Sequence, residues 1–273
     1  MPVSRLPFSG RPTEPVTVPD VVRSFAADDA ITPVWQNELG GLTFRLDDGR
    51  GGIRYIKWIA AGTPEIDLAA EAERLAWAQQ WVRVPHIIEQ GADTDGSWLV
   101  TTGVPGRSAV DPRWVADPKT AATAIGQGLR LLHDTLPVHR CPFDWSVQHR
   151  LDAARQRLHP GARLSDRLQP HRHPGGITDA ETRIDQPPPI DRLVVCHGDA
   201  CAPNTLLHDD GAFAAHVDLG ALGVADRWAD LAIAAWSTEW NYGPGYDTVV
   251  YEAYGIDPDP ERIAYYRLLW DMT

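Results

Sequence analysis

The sequence feature that most constrains the fold is the placement of three polar residues around a predicted strand and hairpin. The apolar run at 193–196 predicts a short buried strand that ends at a His-Gly-Asp motif, residues 197–199. A predicted hairpin over 205–217 begins directly after Asn204 and ends at Asp218. Because the two strands of a hairpin run side by side, Asp218 should return to the neighbourhood of Asn204. We therefore expect two carboxylates and one amide at the same end of these strands.

This set of side chains suits phosphoryl transfer. The reaction needs a carboxylate to orient the attacking hydroxyl, and Mg²⁺ held against the phosphates by carboxylate and amide oxygens. Asp199, Asn204 and Asp218 supply these groups, with the logic of the catalytic loop and the Asp-Phe-Gly segment of protein kinases. Each residue alone also fits a cap, a turn or a strand exit. The prediction therefore depends on all three occurring in register.

Composition limits the class of partner. The chain of 273 residues carries a formal net charge of −12, and nucleic-acid binding requires basic patches, so we expect no nucleic-acid partner. The acidity is compatible with a small cationic substrate, although solubility alone also accounts for it. No apolar run approaches the ~20 residues that cross a bilayer, and the start of the chain lacks a signal-peptide pattern. We expect a cytoplasmic protein without a membrane partner.

The three cysteines predict no metal site. Cys141, Cys196 and Cys201 are an odd number in a chain of this length, which is typical of reduced thiols. Cys196 and Cys201 flank His197, but no second ligand pair follows at zinc-finger spacing. A metal–thiolate site is therefore not favoured.

The pattern of apolar residues predicts an α+β, two-lobed fold. We expect a small β-rich nucleotide-binding lobe with one helix at 1–102, and a larger, mainly helical catalytic and substrate-binding lobe at 103–273. In the first lobe, strands are predicted at 44–46, 53–59 and 98–102, and a helix at 66–82. In the second, helices are predicted at 119–133, 147–158, 225–238, 246–254 and 260–270. The Pro- and Gly-rich stretch 169–189 is predicted to be a surface loop or a partly mobile insertion.

Together these motifs resemble a known family. His-Gly-Asp, then Pro-Asn at 203–204, then Asp-x-Gly at 218–220 is similar to the pattern of aminoglycoside phosphotransferases and choline kinases, which have a protein-kinase-like fold. The resemblance continues through residues 126–133, 223–232 and 265–271, and so covers most of the chain from about residue 35. Residues 194–204 most resemble the streptomycin 3''-phosphotransferase branch.

The resemblance implies an ATP-dependent O-phosphotransferase that modifies an aminoglycoside, above all streptomycin at its 3'' hydroxyl, and so confers antibiotic resistance. Asp199 would be the catalytic carboxylate, and Asn204 and Asp218 would hold Mg²⁺. Asp230 would brace the catalytic loop, unless it is only a charge at a helix N-terminus. We expect a monomer or a weak dimer.

In the first lobe the resemblance requires a lysine for the α- and β-phosphates. Lys57 lies in a strand-forming run and is one of only two lysines, although a strand lysine is often a solvated edge residue. Its partner would be Glu71 or Glu73 on the next helix. At about 100° per residue, Glu71 falls near the apolar stripe, but the helical wheel does not decide between them. The family pattern selects Glu71.

The remaining candidate residues also follow from the resemblance. Gly40 and Gly41 would belong to the loop that covers the phosphates, although this loop departs from Gly-x-Gly-x-x-Gly. Thr102 and Val104 would lie where backbone groups meet adenine. The acids expected to contact a cationic drug are Asp226, Glu239 and Asp271.

Two other interpretations are open. One is a kinase of the same fold that acts on another small alcohol, such as a different aminoglycoside, choline or homoserine. The other is a non-catalytic pseudokinase, against which the presence of Lys57, Asp199, Asn204 and Asp218 argues.

Overall fold

The computed structural model describes residues 9–63, 65–158, 160–168, 172 and 175–273. The chain divides into two compact units. The N-terminal unit comprises residues 1–80 and 84–104, and the C-terminal unit comprises residues 81–83 and 105–273. Within the described ranges, no helix is long and apolar enough to cross a membrane.

The N-terminal unit is built on an antiparallel sheet. Its elements are α1 (Asp20–Ala26), β1 (Ala30–Gln36), β2 (Leu42–Asp47), β3 (Ile53–Ala60), α2 (Leu68–Ala78), β4 (Ile87–Ala92) and β5 (Gly96–Thr102). The strand order is β1-β2-β3-β5-β4, and every neighbouring pair is antiparallel. β3 is thus a central strand, with β2 on one side and β5 on the other.

One face of this sheet carries a core that includes α1. Alternate residues of β2 are buried, among them Phe44 and Leu46, and they pack with Ile56 of β3. Val22 and Ala26 of α1 complete the same cluster. The sequence predicted no helix here, because seven residues after a Pro-rich segment give little helical signal. Packing of an apolar face onto the sheet stabilises α1 instead.

Strand β4 was also missed. Glu89 and Gln90 are exposed and Gly91 follows them, so the run lacks the apolar alternation by which strands are recognised. It forms a strand because β5 pairs with it at the edge of the sheet. Helix α2 is shorter than predicted and begins at its N-cap Asp67, whose side chain accepts the N–H of Ala70.

The C-terminal unit is mainly helical. Its helices are α3 (Pro112–Val115), α4 (Pro118–Thr135), α5 (Val147–Gln156), α6 (Gly176–Ile184), α7 (Trp228–Tyr242), α8 (Asp247–Tyr254) and α9 (Pro260–Met272). Its strands are β6 (Arg107–Ser108), β7 (Leu193–Cys196), β8 (Thr205–Leu207), β9 (Phe213–His216) and β10 (Gly223–Asp226). β7 pairs with β10, and β6, β8 and β9 form a second small sheet.

Helix α7 is the centre of this unit. Its residues 228–238 are all buried, and α4, α8 and α9 pack against it. A helix that is apolar on all sides suits such a position. The predicted cap of α9 is confirmed, because Asp259 accepts the backbone N–H groups of Glu261 and Arg262 with Pro260 at the first helical position.

The predicted loop at 169–189 contains a helix. Within it, α6 buries Ala180 and Ile184, which are four residues apart and so share one helical face, and α6 packs against α9. The expectation of a loop or mobile insertion over the whole stretch was therefore wrong for residues 176–184. Residues 169–171, 173 and 174 lie outside the described residues.

Candidate active site

The loop after β7 carries Asp199. Gly198 directly before it has a φ of +85°, and a Cβ there would lie 2.1 Å from the backbone oxygen of Ala221. Both observations require glycine at this position. His197 is fully buried, and its Nε2 donates to the backbone oxygen of Val217 at 2.9 Å. The backbone around Asp199 is therefore tightly defined.

Asn204 is hydrogen-bonded to Asp199. Its Nδ2 donates to the backbone oxygen of Asp199 and to its Oδ2, both at 3.0 Å. These two bonds use the amide nitrogen of Asn204 and leave its Oδ1 as the remaining polar atom of that side chain. The predicted proximity of the two residues is thus present in the structure.

Asp218 follows β9 and lies beside the same loop. The N–H of Val217 donates to the backbone oxygen of Asn204 at 3.0 Å, which holds the two segments together. Asp218 has a φ of +64°, in the left-handed region that residues other than glycine rarely adopt. Such backbone strain concentrates at functional sites, and nothing in the sequence indicated it.

The two carboxylates influence one another. Burial, and secondly the negative charge of Asp218, raise the pKa of Asp199, while His197, Cys201 and Asn204 oppose the rise. A carboxylate with a raised pKa accepts a proton more readily than an exposed one. The donor set of Asn204 and Asp218 consists of hard oxygens, which fits Mg²⁺.

Asp230 holds this loop in place through hydrogen bonds to its backbone. It is fully buried at the start of α7 and accepts the backbone N–H groups of His197 at 2.6 Å and Gly198 at 2.9 Å. His133 of α4 donates to it from Nε2 at 2.9 Å. Burial alone would raise the pKa of Asp230, but the hydrogen bonds and the charge of His133 outweigh burial, and the pKa is lowered. Of the two interpretations of Asp230, the geometry supports bracing.

His133, Cys196 and Asp230 also place possible metal-ligand atoms within 4.8 Å of one another. These atoms already have partners: His133 and Asp230 bond to each other, and the Cys196 thiol donates to the backbone oxygen of Asp226. We therefore assign these three side chains a structural role rather than a metal site.

A second hydrogen bond between this loop and α7 was not predicted from the sequence. The N–H of Ala202 donates to Oγ of Ser237 on α7 at 2.9 Å, and Asn241, one turn later, donates to the same oxygen at 3.2 Å. Ser237 gave no sequence signal, because a single serine in an apolar helix has no distinctive pattern. The loop that carries Asp199 is thus attached to α7 at two points.

In the N-terminal unit, Lys57 pairs with Glu71. Lys57 Nζ lies 2.7 Å from Oε1 and 2.8 Å from Oε2 of Glu71. The Glu71 side chain is 7% exposed and that of Lys57 is 25% exposed, whereas Glu73 is exposed. Because β3 is a central strand, the interpretation of Lys57 as a solvated edge residue does not apply.

The other predicted nucleotide residues also lie in this unit. Gly40, with a φ of +86°, and Gly41 form the turn between β1 and β2, and Asn37 Oδ1 accepts the N–H of Gly41 at 2.7 Å. Thr102 ends β5, and its Oγ1 accepts the N–H of His86 at 3.0 Å. Val104 is half-buried.

The structure corrects one predicted substrate contact. Asp226 is 4% exposed, and its two oxygens accept the backbone N–H groups of Asp191 at 2.7 Å and Trp228 at 3.0 Å. Because both oxygens are used to hold local backbone, Asp226 has a structural role. Burial raises its pKa.

The other two acids are ion-paired. Glu239 lies 3.3 Å from Arg267 and is 37% exposed. Asp271 lies 3.0 Å from Arg172, and its side chain is only 5% exposed. A cationic substrate would therefore meet an Asp271 that is nearly enclosed by its ion pair, whereas Glu239 remains partly exposed.

Comparisons with known proteins identify the family of the chain. Residues 36–266 match the phosphotransferase enzyme family. An aminoglycoside 3'-phosphotransferase of Streptomyces ribosidificus is 39% identical over 253 residues, which are 86% of this chain and 92% of the relative. The streptomycin 3''-kinase of Streptomyces griseus is 36% identical over 264 residues, 88% of this chain and 91% of the relative.

Among solved structures, the aminoglycoside phosphotransferase APH(3'')-Id of Streptomyces rimosus in complex with ADP and streptomycin has a similar fold. The TM-score is 0.70 at 27% identity, over 93% of this chain and 97% of the other. This similarity confirms the predicted α+β, kinase-like fold class. The chain thus belongs to the phosphotransferase enzyme family, and its relatives within that family are aminoglycoside phosphotransferases.

Proposed function

We propose that this chain transfers the terminal phosphate of ATP to a hydroxyl group of an aminoglycoside, with Asp199 as the catalytic carboxylate. The observation that carries the proposal is the contact of Asn204 with Asp199 at 3.0 Å beside Asp218. Phosphoryl transfer depends mainly on positioning and on electrostatic stabilisation. The buried Asp230 carboxylate provides the positioning, because it holds the loop that carries Asp199.

In this mechanism Asp199 accepts a hydrogen bond from the substrate hydroxyl and receives its proton. The hydrogen bonds from Asn204 hold the Asp199 carboxylate and its backbone in place for this transfer. Asn204 and Asp218 are the residues that would hold Mg²⁺, which would neutralise charge on the phosphates. Lys57, oriented by Glu71, is the proposed ligand of the α- and β-phosphates.

For the substrate we propose streptomycin, phosphorylated at its 3'' hydroxyl. Support comes from residues 194–204, which resemble that branch, and from the 36% identity to the Streptomyces griseus streptomycin 3''-kinase. A second candidate is the 3' hydroxyl of another aminoglycoside, favoured by the 39% identity to a 3'-phosphotransferase. We expect a cytoplasmic monomer or weak dimer in either case.

A panel assay tests the proposal. Purified protein with ATP and Mg²⁺ is incubated separately with streptomycin, kanamycin, choline and homoserine, and phosphate adducts are detected by mass spectrometry. We expect a streptomycin adduct with the phosphate on its N-methylglucosamine ring, and streptomycin tolerance in cells that express the protein. An adduct on kanamycin alone would favour the 3' alternative, and an adduct on choline or homoserine would favour another alcohol.

The matched control is Asp199→Ala. Turnover should fall by about 100-fold or more, because proton acceptance and hydroxyl orientation are lost, while the thermal unfolding temperature shows that the variant still folds. Turnover within a few-fold of wild type would remove Asp199 from the mechanism. ATP binding without any phosphorylated product across the panel would favour a pseudokinase.

A further inference from the structure

An arginine of the chain itself occupies an aromatic site on α7. The guanidinium carbon of Arg172 lies 5.1 Å from the ring centroid of Trp236 and 5.7 Å from that of Trp240. The two tryptophan rings are 4.8 Å apart and tilted by 54°. Arg172 Nη1 also lies 3.0 Å from Oδ1 of Asp271. The guanidinium carbon of Arg267, which pairs with Glu239, lies 5.2 Å from the ring centroid of Trp236 as well. We call Trp236, Trp240 and Asp271 the tryptophan cage.

The cage has the composition of a binding site for a guanidinium group. Stacking on aromatic faces combined with a carboxylate at the edge is the arrangement that favours a planar guanidinium over a compact ammonium. Trp240 is 43% exposed, unusually high for a residue of this size. Since burial of Trp240 is so incomplete, core packing does not account for its position.

The cage is close to the catalytic loop. Trp236 and Trp240 are four residues apart and therefore lie on one face of α7. Ser237, between them in sequence, accepts the N–H of Ala202 in the catalytic loop. The cage and the loop that carries Asp199 are therefore attached to the same stretch of α7. Trp236 and Arg172 also line a cavity of about 590 Å³, which offers space beside the cage.

We propose that the tryptophan cage is a guanidinium subsite for the substrate, and that Arg172 is its internal occupant. This inference rests on the proposed function, and it makes Trp236 and Trp240 specificity-determining residues. A guanidinium-bearing aminoglycoside such as streptomycin displaces the Arg172 side chain and takes its place on the rings and beside Asp271. The exchange of one guanidinium for another keeps the local charge unchanged, whereas an ammonium group recovers less of the stacking.

Calorimetric titration of the full chain with streptomycin, without ATP, tests the inference. If Arg172 fills the cage about nine-tenths of the time, its removal lowers the apparent Kd about tenfold. We therefore expect Arg172→Ala to bind streptomycin about tenfold more tightly. Trp240→Ala, made in the Arg172→Ala background, should weaken binding about fivefold, and Trp240→Phe in that background should retain most of the affinity.

The matched control is Arg183→Ala. Arg183 lines the same cavity but pairs with Asp179 rather than with the cage, so its removal should leave the Kd for streptomycin unchanged. Unchanged or weaker binding by Arg172→Ala would overturn the inference. An equal gain for kanamycin, whose cations are ammonium groups only, would overturn the assignment to guanidinium.

The outcome also separates this inference from the proposed function. If the protein phosphorylates streptomycin but substitution of Arg172 or Trp240 does not change the Kd, the proposed activity is retained and the guanidinium subsite is rejected. If Arg172→Ala binds streptomycin more tightly but streptomycin is not phosphorylated, the guanidinium subsite is retained and the proposed reaction is rejected.

Discussion

His133 Nε2 lies 2.9 Å from Asp230 Oδ2, and both side chains are 0% exposed. Through this contact a residue of α4 fixes the carboxylate on α7 that holds the two backbone N–H groups before Asp199. Tyr254 of α8 lies 3.0 Å from the other ring nitrogen of His133. Three helices thus determine the position of the loop that carries Asp199.

Asp230→Asn should reduce both stability and turnover. Removal of one partner of a buried charged pair costs about 3 kcal/mol, and the loop would lose its fixed position. Urea unfolding measures the first effect and the phosphorylation assay the second. Asp185→Asn is the control, since Asp185 pairs with Arg155 at 65% exposure and should change stability by less than about 0.5 kcal/mol. A loss as small as that of the control would mean that Asp230 does not brace the loop.

The stability difference between wild type and Asp230→Asn should depend on pH. The pKa of Asp230 is lowered in the folded protein, whereas an aspartate in an unfolded chain titrates near about 3.9. The ionised form therefore stabilises the wild type above that pH, and the contribution disappears as the pH falls through the folded-state value. Urea unfolding between about pH 3 and pH 6 checks this. A difference that grows on acidification would contradict the assignment.

Substitution of the proposed metal ligands should weaken the dependence on Mg²⁺. Asp218→Ala and Asn204→Ala each remove one oxygen donor, so the Mg²⁺ concentration for half-maximal rate should rise roughly tenfold or more. Initial rates over a Mg²⁺ series measure it. Asp210→Ala, in the exposed turn of the neighbouring hairpin, should leave the curve unchanged. Unchanged curves for both ligand variants would place the metal elsewhere.

Lys57→Ala and Glu71→Ala should be non-additive. Their side chains meet at 2.7 Å and 2.8 Å, so loss of either removes the same oriented ammonium group. In a double-mutant cycle on kcat/KM for ATP, we expect an interaction energy of about 1 kcal/mol or more. Glu73→Ala is the control, because Glu73 is exposed on the same helix. Additive losses would show that the pair does not act as a unit.

Gly198→Ala should be more damaging than Gly255→Ala. Both glycines have a positive φ, +85° and +83°, but a Cβ at Gly198 would lie 2.1 Å from the backbone oxygen of Ala221, whereas a Cβ at Gly255 would lie 3.6 Å from Nη1 of Arg130. Gly255 is left-handed at the C-cap of α8. The positive φ costs about 1–2 kcal/mol at either site, and at Gly198 the clash adds about 1–3 kcal/mol. Urea unfolding compares the two variants. Equal losses would mean that the loop yields to the added methyl group.

The sequence by itself determined the parts of the site that depend on short separations. Asn204 is five residues from Asp199, and the short hairpin between Asn204 and Asp218 leaves few ways to connect its ends. The apolar strand before His197 and the turn residues of the hairpin are equally local. For this reason their arrangement followed from spacing alone, and the α+β class followed from the same patterns.

Tertiary structure alone decided which acids are accessible. The helical wheel did not decide between Glu71 and Glu73, although the family pattern selected Glu71, and the structure shows Glu71 buried beside Lys57. Asp226 was expected to contact a cationic drug, yet its oxygens hold the backbone of Asp191 and Trp228. Such outcomes depend on which helix packs onto which strand. Local spacing carries no information about this choice.

The tryptophan cage could not be predicted from local sequence either, because its residues are far apart in the chain. Arg172 meets Asp271 across 99 positions of the chain, and both meet tryptophans on a third segment, α7. The family resemblance predicted Asp271 as a contact of a cationic drug, and Arg172 lay in a predicted loop. Their contact arises because packing of α9 against α7 brings distant segments together, which no periodicity in one segment can indicate.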